Sequence, residues 1–298
     1  MPRRDRLLLR VRPPPLDEAG LGARRVLGGR PLAPRPRGGG LLGAISLHLP
    51  FYVAGSLATA NLLYGYFVLP ESLPAERRRA FEWKAVNPFR SLYELSQLRR
   101  TGRLVAVVAC SGLAQFVLYT TWVLYTTFKF GWGPLENGWS LAAVGVVSAI
   151  VQGLLLGRIL KVVSPRRLAV MGLISSTLAY VLWGVATEGW MIFAVIFVNL
   201  LGATVSSTIQ SIISGAADAT EQGRTLGAIG GLNSLMAVIA PTIGAPLLTM
   251  VSHLPQGDWR IGAPFYFCAV LQAIALALAI TQFTRERRLR TAANDPVA

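Results

Sequence analysis

The sequence predicts an all-α, polytopic membrane protein with about seven transmembrane helices, and three observations carry that reading. Only 14% of the 298 residues are charged, whereas 53% are apolar and the mean hydropathy is +0.49; an ordinary soluble domain has roughly 25% charged residues. Seven stretches contain no Asp, Glu, Lys, Arg or His: 50–69, 104–125, 138–157, 168–187, 190–212, 225–251 and 264–283. Each is close to the roughly 20 residues that cross the hydrocarbon core of a bilayer. Finally, the charges gather between these stretches, where a spanning chain must leave the lipid. A disordered polyelectrolyte, a collagen-like repeat and an ordinary soluble enzyme are all excluded. Two cysteines make no disulfide framework, no Cys/His cluster offers a metal site, and no cofactor is expected.

Along the chain, residues 1–37 form an Arg/Pro-rich segment with ten arginines and seven prolines and no helical periodicity. Its composition is that of a disordered tail. It lacks the interleaved aromatics of a nucleic-acid arm, and Leu7–Leu9 is far too short for a secretory signal. Residues 38–69 carry the first apolar stretch and 70–101 a basic loop. Residues 102–284 hold the other six stretches, expected to form one bundle, and 285–298 a basic tail. Lys and Arg in alternate loops set orientation. The segments 70–103, 158–167, 213–224 and the tail hold 17 of them, whereas the intervening loops hold Lys129 and Arg260 alone. The basic loops and the C-terminus are therefore expected in the cytoplasm of a multi-pass inner (plasma) membrane protein, with the arginines of 70–101 against anionic lipid.

Certain motifs add a resemblance. PFYVAGSLATANLLYGYFVLPES (50–72), Pro88 in VNPF (86–89), FGWGPLENGWSLAAVG (130–145), GRILKVVSPRR (157–167) and EQGRTLGAIGGLNSL (221–235) resemble the second half of a major facilitator superfamily transporter, in its tetracycline-efflux-like drug/proton antiporter branch. The likeness covers about 260 of the 298 residues. It implies that 38–69 is a remnant of the N-terminal half, the end of helix five and helix six (50–69), that 102–284 is the C-terminal six-helix bundle, and that the rest of helices one to five has no counterpart.

The motifs also have physical readings of their own. Gly157 permits close helix approach, Ser164-Pro165 forms a turn able to cap the next helix, and Arg158, Arg166 and Arg167 are placed to meet helix C-terminal carbonyls or acidic neighbours. A topogenic basic loop accounts for those charges; a cytoplasmic gate accounts for the spacing as well. Lys161 stands where the family motif usually has an aspartate. Gly223 suits a turn, and Arg224 is within reach of Asp218 or Glu221, as a gate element or a solvated turn. Pro241, Gly244 and Pro246 mark either a bend lining a cavity or a packing kink.

With no charge embedded, substrate-binding candidates are neutral. Ser111, Gln115, Tyr119 and Trp122 fall at i, i+4, i+8 and i+11, one helical face. Ser148 and Gln152 share a face on the next span, Asn199, Ser206 and Gln210 a stripe further on, and Asn233 and Gln272 add an amide each to the last two. Amides facing lipid are penalised, so these point inward, as binding groups or as interhelical glue. Gln115 and Trp122 also match a glutamine and a tryptophan typical of the family's seventh helix. Cys110 and Cys268 read as packing residues.

The resemblance implies efflux of a small hydrophobic drug-like substrate coupled to protons. Proton coupling in that family is associated chiefly with the half that has no counterpart here. Three readings follow: the C-terminal part of a truncated efflux transporter, a half-transporter that pairs with a separate N-terminal half, or a non-transporting membrane scaffold or regulator. The ten arginines of 1–37 conflict with the orientation of the other loops. Out-of-frame Gly/Ala codons yield Arg, Pro and Gly, which makes a shifted frame or misassigned start the expected origin of that segment.

Overall fold

A computed structural model describes residues 48–68, 102–216 and 222–294. The readings of 1–37, of the basic loop 70–101 and of Asp218 and Glu221 lie outside the described residues. Every regular element described is helical. Lipid offers the backbone no hydrogen bonds, so a spanning segment must satisfy them internally. In chain order the helices are α1 (Leu49–Val68), α2 (Gly102–Phe130), α3 (Pro134–Ile150), α4 (Leu156–Val162), α5 (Pro165–Val185), α6 (Gly189–Val198), α7 (Val205–Ala216), α8 (Gln222–Val251) and α9 (Ala263–Asn294).

Local sequence sets the ends. Gly131, at φ +68°, turns the chain out of α2. Pro134 and Pro165 occupy the first turns of α3 and α5, where a missing N–H costs nothing. The Glu136 carboxylate accepts from the Gly133 N–H at 2.9 Å. Ser164 stands at the N-cap of α5, but its hydroxyl makes no capping bond there.

Five described helices, or six counting a bent pair, are long and apolar enough to span a bilayer, rather than the seven expected. The difference is α1, which has the length but falls outside that set; it is exposed along nearly its whole described length. A second difference lies in 190–212. This stretch is not one helix: α6 and α7 meet at 54° around a short 3-10 turn, Gly202–Thr204. A π-helical turn, Val151–Leu155, joins α3 to α4 within the span Pro134–Val162. The last helix runs on through Arg285 to Asn294 without a break near residue 284.

Helix α2 is central, packed on α8 and α9, while α9 and α7 lie against α5. The core divides along the bundle axis. At one end Trp122, Tyr125, Tyr180, Trp183 and Phe265 form an aromatic cluster. Towards the other, Leu104, Val107, Leu173, Ile209, Ile213 and Ala279 form an aliphatic one. Helices in lipid gain little from the hydrophobic effect and hold together by close packing and interhelical hydrogen bonds. Gly262 accordingly presses on the backbone of Gly184, and a Cβ on Gly172 would lie 2.8 Å from the Leu201 carbonyl.

Lys129 corrects the loop reading. It lies in the last turn of α2, 4% exposed, and its ammonium donates to the Gly184 carbonyl at 2.6 Å. A cation there complements the negative C-terminal end of α5. Pro241 and Pro246 sit inside one continuous α8, and a Cβ on Gly244 would lie 2.8 Å from Thr121. Of the two readings for that segment, packing is the one observed. Cys268 is buried, with its thiol donating to the Ala114 carbonyl at 3.3 Å.

Candidate functional site

Between the two core clusters a cavity of about 250 Å³ opens, lined by side chains from six helices. Helix α2 contributes Ser111, Gln115 and Tyr119, and α3 with its π turn contributes Ser148 and Gln152. Ser176 comes from α5, Gly202 and Ala203 from the α6–α7 break, Ser206 and Gln210 from α7, Asn233 from α8 and Gln272 from α9. Five of the seven sequence-predicted substrate residues, Gln115, Tyr119, Gln152, Gln210 and Asn233, thus share one cavity. Every polar group lining it is neutral. Gln152 sits in the π turn, whose extra backbone residue re-aims the side chains that follow. Tyr119 is 57% exposed and meets Phe116 edge-on. The Gln210 amide donates to Ser206 at 3.3 Å, and the Asn233 amide oxygen lies close to Gly112, 3.1 Å from where a Cβ would stand.

The other two, Trp122 and Asn199, line a smaller lobe of about 110 Å³ that also touches Gln115, Tyr119, Ser148 and Ser176. Trp122 is 4% exposed. Its indole N–H donates to Ser140 at 3.0 Å, and its ring lies edge-on to Trp183 at 5.2 Å. It therefore presents only a small edge to the lobe, its polar group already engaged. Asn199 lies before the break, so the continuous stripe with Ser206 and Gln210 does not exist. Its amide oxygen accepts from Ser175 at 3.1 Å. At Gly202 a Cβ would overlap Asn199 and Ser176, so glycine is what lets the chain turn here.

A family description, Major Facilitator Superfamily, matches residues 35–241 and again 104–296. The chain belongs to the Major Facilitator Superfamily. It is 32% identical over 232 residues to the class C tetracycline resistance protein of Escherichia coli, covering 78% of this chain and 58% of that protein. With the class D tetracycline resistance protein of Salmonella ordonez the identity is 30% over 244 residues, covering 82% and 61%. The Hippocampus abundant transcript 1 protein of Mus musculus is 26% identical over 260 residues, covering 78% and 53%. The chain therefore spans little more than half the length of the curated relatives it matches. It is a multi-pass helical membrane protein of a transporter superfamily, not an enzyme.

The residues expected at a cytoplasmic gate divide. At the start of α5 the Arg166 guanidinium donates to the Glu286 carboxylate on α9 and lies 5.9 Å over the Phe283 ring. Gln282 donates to the other oxygen of Glu286 at 2.9 Å. The contact places the start of α5 and the end of α9 at one basic end of the bundle. Arg158 and Arg167 are exposed. A Cβ on Gly157 would meet nothing within 4 Å, so no described helix requires a glycine there. Gly223 lies in the first turn of α8 rather than in a turn before it. The side chain of Arg224 lies outside the described residues.

Sequence reasoning missed Ser176 and the glycine-centred break. The signal for the break was present in Asn199 and Gly202, within an otherwise apolar run, but it needed the Ser175–Ser176 pair of another helix to give it meaning.

Proposed function

We propose that the bundle forms one wall of the translocation cavity of a drug/proton antiporter, exporting tetracycline-like or other hydrophobic drug-like molecules across the inner (plasma) membrane. The supporting observation is the convergence of Gln115, Gln152, Gln210 and Asn233, from four different helices, on one neutral cavity beside Tyr119. Amides and hydroxyls both donate and accept, which suits a partly polar molecule, while Tyr119 and Phe116 offer flat apolar faces. Helix breaks at membrane depth are tolerated where they line a cavity, and both the π turn and the α6–α7 break supply lining residues.

In this reading the basic end and the C-terminus face the cytoplasm, from the loop bias of 17 Lys and Arg against two. Among the described residues no acidic or basic side chain lines the cavity. Proton coupling is thus assigned to groups outside this bundle, on an N-terminal half that completes the cavity, whether on the same polypeptide or a separate one. Arg166 with Glu286 serves as part of the cytoplasmic gate.

The test is tetracycline accumulation in drug-sensitive bacteria expressing this chain alone, or with the N-terminal half of the class C relative. Accumulation is expected to fall only with the added half, and to recover when the proton gradient is collapsed. Gln115→Leu and Gln210→Leu should each weaken export roughly three- to tenfold, the worth of one neutral hydrogen bond. Export untouched by both substitutions would remove the cavity from the mechanism and favour a scaffold role.

A further inference from the structure

The last helix packs through a stripe of small buried residues, Cys268, Ala269, Ala275 and Ala279, and in the middle of that stripe stands Gln272. Gln272 is 3% exposed, lines the cavity, and its amide oxygen has no hydrogen-bond partner. Ser111 lines the same cavity, and its hydroxyl oxygen is also buried without a partner. The Cys268–Ala114 contact fixes the antiparallel register of α9 on α2. One turn along each helix from that contact brings Gln272 and Ser111 to the same level. A buried carbonyl without a donor costs free energy that packing alone does not return, and native structures hold few such groups without a use for them. An alanine would have continued the stripe at no such cost.

We propose that Gln272, with Ser111 beside it, forms the hydrogen-bonding floor of the cavity and reads a hydroxyl or carboxamide donor on an uncharged edge of the substrate. The proposal rests on the transport reading above and deepens it. A carbonyl oxygen accepts only, so the ligand must bring the proton; the serine hydroxyl can donate back to a neighbouring oxygen of the same ligand. A carboxylate would find no cation in the cavity and would face the Gln272 carbonyl. An ammonium would find no counter-charge. Gln115 and Asn233 extend the same neutral chemistry towards the mouth.

The experiment compares the full chain with Gln272→Leu, Gln272→Met and Ser111→Ala in detergent micelles. Two quantities are measured: the melting temperature without ligand, and saturation by tetracycline, a hydroxyl- and carboxamide-bearing probe followed by its own fluorescence. The melting temperature should stay level or rise, because each substitution removes an unsatisfied group. Tetracycline binding should weaken at least tenfold in both Gln272 variants and a few-fold in Ser111→Ala. A fall in melting temperature in both Gln272 variants would make the amide a structural tie and overturn the proposal. Unchanged binding would overturn it equally. Should the unsubstituted chain not bind tetracycline even with the N-terminal half of the class C relative added, the functional reading loses its substrate class. The floor is then decided by thermal protection with nicotinamide and inositol: protection that Gln272→Leu abolishes upholds it, and no difference between the two proteins rejects it.

Discussion

The two ends of the bundle are built differently. At the aromatic end, side chains tie helices to one another through groups that are buried and satisfied. Tyr125 donates to the Trp183 carbonyl, Lys129 to Gly184, Trp122 to Ser140 and Thr126 to Asn137 at 2.6 Å. Around the cavity and towards the basic end the chain is irregular. The helix widens at Val151–Leu155 and breaks before Gly202, and Ser111, Thr208 and Gln272 hold buried oxygens without partners. One region spends its polar groups on structure, the other keeps them available. Under the transport function proposed above, the tied end would give the irregular one something to move against.

The largest expected effect tests the rigid end. Trp183 is buried among Trp122, Tyr180 and Phe265 and donates its indole N–H to the Ile192 carbonyl at 3.3 Å. Trp183→Ala should cost about 3–5 kcal/mol of stability, the usual range for deleting a buried aromatic. Gln210→Ala, on the cavity wall, should stay within about 0.5 kcal/mol. Denaturant unfolding of the purified chain in mixed micelles reads both. Equal losses would show that the cavity wall is as structural as the aromatic cluster.

Glycine sharpens the comparison because the same substitution should change sign. Gly202→Ala forces a methyl into Asn199 and Ser176 at the break, and overpacking of this kind costs about 1–3 kcal/mol. Gly157, in α4, has open space where a Cβ would stand. Gly157→Ala should therefore stabilise by up to about 1 kcal/mol, the difference in helix propensity. Melting temperatures of the two variants should move in opposite directions. A Gly157→Ala protein that is stable yet loses export would place the partner of that glycine outside this bundle.

The spans were legible because lipid leaves the backbone so few options. Charge-free runs near the bilayer thickness must be helices, and basic residues mark where they emerge; the start of α5 at Pro165 and the end of α8 at Val251 lie within a few residues of the expected bounds. The 3.6-residue period likewise brought Ser111, Gln115 and Tyr119 to one cavity face. Illegible features depended on contacts between helices. The run 190–212 is free of charge, and its Asn199 and Gly202 take on meaning as a break only once Ser175 and Ser176 of α5 are set against them. Trp122 keeps the predicted face but lies deeper, where Ser140 of α3 takes its N–H. Gln272 read as glue or ligand group alike, since spacing cannot report whether a buried amide finds a partner. Lys129 looked like a loop charge because the carbonyl it neutralises lies 55 residues away in sequence.

The smallest effect probes the basic end, where Arg166 and Glu286 join α5 to α9. Their side chains are 35% and 18% exposed, so water screens the pair and the ordering of two long side chains offsets part of the attraction. A double-mutant cycle of Arg166→Ala and Glu286→Gln should give a coupling of about 1 kcal/mol or less, weakening as salt is raised. In the transport cycle proposed above, a tie worth little more than thermal energy would open and re-form more cheaply than the buried Lys129–Gly184 contact. A coupling above about 3 kcal/mol, insensitive to salt, would mean that the basic end is locked as firmly as the aromatic one. The mobile element would then have to lie at mid-span, in the π turn and the α6–α7 break alone.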